Sequence, residues 1–97
     1  MVAKVGDLKP VDEWEENIRE NAKYYTVIGF TPGKGNRHFQ SFEDITWAKA
    51  YAIELMKDTS TRIRAAMVYA VNEYDNHALV GTCNADLKWK QVEPKRY

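Results

Sequence analysis

SFEDITWAKAYAIELMKD, residues 41 to 58, is the stretch whose reading decides the fold. Ser41 and Asp44 have capping-box spacing, which predicts a helix starting at Ser41, with the acid where the helix dipole favours it. Ile45, Ala48, Ala52, Leu55 and Met56 fall on one stripe at helical period, with Phe42, Tyr51 and Ile53 at its margins. Ala48, Ala50 and Ala52 favour helix and let the backbone lie close to a sheet. The run Asp58-Thr59-Ser60-Thr61 ends the helix, because short polar side chains compete for backbone hydrogen bonds. Trp47 lies off the stripe, on the side of Glu43 and Glu54. It either packs on the rim of the domain or stands exposed as an anchor for a partner.

Strand-like segments flank this helix. Tyr24 to Phe30, YYTVIGF, is rich in β-branched and aromatic residues. Thr31-Pro32-Gly33-Lys34-Gly35-Asn36 is a turn, and Arg37 to Gln40 returns as a short second strand. After the helix, Arg62 to Tyr74 carries apolar residues on both faces, as a central strand would. Asp75-Asn76-His77 turns the chain. From Leu79, the alternation Leu79, Gly81, Cys83, Ala85, Leu87, Trp89 predicts either one long bulged strand to Val92 or two strands broken at Asn84 to Asp86.

Near the N-terminus, Pro10 suits the first position of a helix. Val11, Trp14, Ile18 and Ala22 then recur at helical spacing, opposite a charged face. Residues 1–9 read as a flexible arm and residues 93–97 as a frayed tail. The order α-β-β-α-β-β predicts an α+β two-layer sandwich. Its sheet is mostly antiparallel, of three or four strands, with two helices on one face.

Composition limits the function classes. Ninety-seven residues make a single domain, 1–97, with 44% hydrophobic content, which argues against disorder. Basic and acidic residues balance at 14 each. That weighs against a dedicated nucleic-acid binder while leaving room for a local basic patch. The single cysteine, Cys83, excludes an internal disulfide and suits a reducing cytoplasm. No apolar run approaches the roughly 20 residues that cross a bilayer, so no membrane partner is expected.

The motifs of common chemistries are absent. Gly29 to Lys34 is one residue short of a P-loop, and Gly35 stands where Ser or Thr would hold magnesium. A dinucleotide fingerprint beginning at Gly33 and Gly35 meets His38 where its third glycine belongs. The stretch Val27-Ile28-Gly29 with Gly33-Lys34-Gly35 lacks the spacing and the following helix of a KH-domain loop. His38, His77 and Cys83 share no ligand spacing, so no metal site is expected. Cys83, in an alternating strand, reads as a small buried hydrophobe. No catalytic residue, cofactor or enzymatic activity is expected.

Two surfaces remain. Three Trp, six Tyr and three Phe are more than one small core hides, so aromatic residues should reach the surface and mark an interface. Trp47, Tyr69 and Trp89 are the candidate partner-binding residues. The leading expectation is a small non-catalytic protein-interaction module: an accessory subunit, adaptor or inhibitor. A phage- or mobile-element-encoded modulator of a host protein fits its size. The partner is another protein or a second copy in a homodimer. The alternative is nucleic-acid or nucleotide binding through loop 33–39. There Lys34, Arg37 and His38 beside Phe39 combine charge for phosphate with a ring for a base. Arg62 and Arg64, with Lys88 and Lys90, are candidate extensions of that patch.

Overall fold

A computed structural model describes residues 11–92. The expected arm at 1–9, Pro10 and the expected tail at 93–97 lie outside the described residues. The elements run α1 (Val11–Glu20), β1 (Tyr24–Thr31), β2 (Gly35–Phe42), α2 (Ile45–Lys57), a 3₁₀ turn (Thr59–Thr61), β3 (Ala65–Val71), β4 (His77–Asn84) and β5 (Trp89–Gln91). All five strands form one antiparallel sheet, in the order β2-β1-β3-β4-β5. The fold is a small α+β domain.

β1 and β3 sit inside the sheet because their residues are apolar on both faces. Val27, Ala66, Val68 and Ala70 are buried against Ala48 and Ala52 of α2. The alternate positions, Ile28, Met67 and Tyr69, lie on the opposite face and are half-buried. The stripe read from the sequence is the one that packs: Ile45, Tyr51, Leu55 and Met56 flank the two alanines against this core. Phe42 and Tyr51 close one margin, with ring centroids 5.3 Å apart. In α1, Ile18 is fully buried and Trp14 is 47% exposed.

Three sequence expectations are corrected. The sheet has five strands rather than three or four, and the order gains a third strand after α2. Of the two readings of the run from Leu79 to Val92, the one with two strands holds, because the alternation breaks at a turn. There Leu87 N–H donates to Asn84 O (3.0 Å) and Lys88 N–H to Asp86 Oδ1 (3.0 Å), with Leu87 at φ 62°. A polar Asn-Ala-Asp segment satisfies its own backbone this way, so β5 folds back and pairs Trp89 with Cys83.

The helix start also moves. β2 extends through Phe42, and Asp44 caps α2, its Oδ1 accepting from Thr46 N–H at 2.7 Å. Ser41 instead donates to Thr26 Oγ1 at 3.2 Å. Thr26 is only 3% exposed, and a buried hydroxyl left without a partner is costly. Once β1 and β2 pair, that demand outweighs the local cap. Finally, β3 is shorter than residues 62–74. The Asn72 side chain accepts from Tyr74 N–H and Asn76 N–H (3.0 and 2.9 Å), which bends the chain into a turn.

β4 carries a bulge in which Val80 has no partner on β3. A bulge turns carbonyls away from the ladder. Here Leu79 O accepts from Arg19 Nε of α1 (2.8 Å) and Val80 O from Val92 N–H (2.9 Å). Arg19 also pairs with Glu15 (3.1 Å) and Glu16 (3.6 Å). One guanidinium therefore ties α1 to the sheet.

These contacts predict the effects of three substitutions. A Cβ at Gly81 would collide with the Trp89 ring and lie 2.8 Å from Lys90 O. Gly81→Ala should therefore cost about 1–3 kcal/mol, as overpacking does, and should detach β5, seen as faster amide exchange at residues 89–92. Asp44→Ala should cost about 0.5–2 kcal/mol through the lost cap. Ser41→Ala should act through Thr26 instead, leaving the amide-exchange protection of the first turn of α2 unchanged while that of Thr26 falls.

Candidate functional site

The β1–β2 hairpin tip and the segment leading into β3 meet at one end of the sheet. The tip is a turn in which Lys34 N–H donates to Thr31 O (3.0 Å). Gly33 and Gly35 have φ of 82° and 81°, a region where only glycine is free of strain. On the other side, α2 ends at Asp58. Its carboxylate accepts from Ser60 N–H (3.0 Å) and Ser60 Oγ (2.6 Å), which holds it below the usual carboxylate range. Arg62 closes the 3₁₀ turn at φ 59°, and Arg64 N–H donates to Phe30 O at 2.6 Å. That last bond joins the start of β3 to the end of β1 and fixes the spacing of the two segments.

Between them lies an open groove of about 740 Å³. Lys34 and Arg37 line one wall, and Arg62 and Arg64 the other, with Ser60 and Thr61 at the turn. Among the described residues, no acid lines the groove. All four cations are exposed, and among the described residues none of them is in an ion pair. Like charges repel when held close, so four cations on facing walls favour an anion between them. Arginine adds a planar fork of donors that matches phosphate oxygens, and hydroxyls supply further donors.

The residues singled out in the sequence separate into different places. Lys34 and Arg37 line the groove. Phe39 does not. It packs where Gly29 has no side chain, and the Arg37 guanidinium lies 4.2 Å from its ring centroid. His38 points to the other face of β2, 3.1 Å from Ser41 Oγ. Lys88 and Lys90 belong to the opposite edge of the sheet, where Lys90 lies 3.8 Å from Asp86. Sequence reasoning passed over Ser60 and Thr61 except as helix terminators. Their signal was the run Ser60-Thr61-Arg62 with Arg64, hydroxyls beside cations at a chain reversal.

The aromatic candidates do not form one patch. Trp47 stands on α2, 67% exposed. Tyr69 lies on the sheet face away from α2, its hydroxyl 3.8 Å from Met67 Sδ and its ring edge-on to His77. Trp89 covers Gly81 beside the α2-side core, with Lys49 Nζ 5.5 Å from its ring.

Among the described residues, no three of His, Cys, Asp and Glu are grouped to hold a metal ion. No helix there is long and apolar enough to cross a membrane. Cys83 is buried, and its Sγ lies 3.6 Å from Asn84 O. Burial, with Asp86 nearby, pushes its thiol above the ordinary value. Comparison with protein families, curated proteins and solved structures finds no match to this chain.

Because the reactive thiolate is disfavoured and covered, Cys83 should react with an aromatic disulfide reagent at pH 8 at least tenfold more slowly than in denaturant. Equal rates in the two states would contradict the burial described.

Proposed function

We propose that this chain is a small non-catalytic binding module whose ligand presents phosphate groups to the groove between the hairpin tip and the start of β3. The observation that carries this reading is the convergence of Lys34, Arg37, Arg62 and Arg64 on a groove that no acid lines among the described residues. The chain as a whole is electrically neutral, so the concentration of positive charge is local and directed. Arg62 supplies further support. It holds a left-handed backbone at φ 59°, which costs an L-residue roughly 1–2 kcal/mol and which glycine would relieve. A cation kept there at that cost is consistent with a role for its side chain. The single buried thiol suits a reducing compartment, and the proposed location is the cytoplasm.

A second reading is favoured by Trp47, whose ring is 67% exposed on an ordered helix. In that reading the module docks a protein partner, or a second copy of itself, as an adaptor, accessory subunit or inhibitor. Large exposed aromatics are frequent anchors of such contacts. It predicts capture of a partner, or a concentration-dependent dimer, that is lost in Trp47→Ala and insensitive to salt.

The groove reading is tested by calorimetric titration with inorganic tripolyphosphate. Saturable binding is expected, weakening as salt rises. Arg62→Gly should weaken it up to about fivefold, since an exposed charge contact contributes about 0.2–1 kcal/mol. The thermal midpoint should hold or rise, because glycine relieves the strain. Absence of saturable binding, or equal binding by Arg62→Gly and Arg64→Ala, would refute the groove as a phosphate site.

A further inference from the structure

Resting on the phosphate reading of the groove, we infer that its ligand is a single-stranded nucleic acid lying between the two walls, with a base stacked on Arg37 where it lies over Phe39. The first argument is enclosure. Pockets for small ligands bury most of the ligand, whereas this groove is open and its tip stands clear. A Cβ built at Gly33 or Gly35 would meet nothing within 4 Å. A free nucleotide held here would remain largely in water, where each phosphate contact is weak. Affinity then has to come from several phosphates in succession, which a polymer backbone supplies.

The second argument is shape. The cations line the two sides of a groove of about 740 Å³ rather than a broad convex face. A single strand can lie along it with its bases free to stack, whereas a duplex keeps its bases paired and stacked inside. The third is a stacking surface within the groove's own lining: the guanidinium of Arg37 lies 4.2 Å from the Phe39 ring centroid, so a base can stack on a group that the ring supports. Charge that tracks a backbone, with flat groups that receive bases, is the pattern of sequence-tolerant single-strand binding. An acidic polypeptide would pair with the cations but brings no base to stack there.

The test is fluorescence anisotropy of the full chain with a labelled oligothymidine of about 12 nucleotides, within the usual site sizes. The competitors are a duplex of equal length, tripolyphosphate, ATP and polyglutamate. With four cations, log K should fall with log salt at a slope of about −3, and Arg62→Gly should bring it to about −2. Arg37→Lys should weaken the oligonucleotide several-fold more than it weakens tripolyphosphate, because it keeps the charge and removes the stacking plane, which separates stacking from charge. The duplex should compete at least tenfold less well than the single strand. If tripolyphosphate binds and the single strand binds no tighter, the ligand is a small polyphosphate: this inference falls and the phosphate reading stands. Equal competition by the duplex or by polyglutamate also overturns it. If neither tripolyphosphate nor the oligonucleotide binds, the phosphate reading fails with it.

Discussion

The structure depends on how closely α2 can approach the middle of the sheet. Ala48 and Ala52 on the helix meet Ala66, Val68 and Ala70 on β3, and all five are fully buried. Small residues on both sides bring the helix axis near the strands, and larger rings and chains then seal the margins. Interiors packed this densely tolerate little added volume, so the position of α2 along β1 and β3 is tightly defined. The helix runs from the end of β2 to the 3₁₀ turn before β3. Its seating therefore decides where the chain re-enters the sheet.

The groove is a consequence of that seating. Lys34 and Arg64 are 30 residues apart in sequence, separated by β2, α2 and the 3₁₀ turn. They face one another because α2 returns the chain to the end of the sheet at which the β1–β2 hairpin turns. The hydrogen bond from Arg64 N–H to Phe30 O then holds the two segments in register. Asp58, the acid nearest in sequence to the groove's second wall, is engaged by Ser60 and lies outside the lining. Elsewhere, Arg19, Lys57 and Lys90 pair with carboxylates. The balanced total charge thus combines paired charges with a local cluster left unpaired among the described residues.

Backbone accounting explains the other end of the molecule. The β4 bulge frees the carbonyls of Leu79 and Val80, and each finds a donor from outside the β3–β4 ladder. Because buried backbone groups need partners, the bulge recruits Arg19 from α1 and Val92 from beyond β5. The same irregularity that spoils a simple strand alternation thereby attaches the flanking elements. Gly81, next to the bulge, leaves room for the Trp89 ring.

The sequence by itself determined what local periodicity can carry: the helical stripe from Ile45 to Met56, β1 as a strand, β3 as a two-sided strand, and the glycine turn between β1 and β2. These depend on patterns of three to four or two residues, which are visible without knowing any partner. The tertiary structure decided what depends on distant neighbours. Ser41 has the spacing of a cap, yet Thr26, 15 residues away, claims its hydroxyl. The alternation from Leu79 to Trp89 left one long strand or two open, and the pairing of Trp89 with Cys83 across the turn decided for two. Lys34 and Arg37 were legible as a basic loop beside Phe39. That His38 leaves the loop for the opposite face, and that Arg62 and Arg64 complete a groove with it, followed only from strand register and the placement of α2. Periodicity is a property of the chain, whereas convergence of charge is a property of its packing.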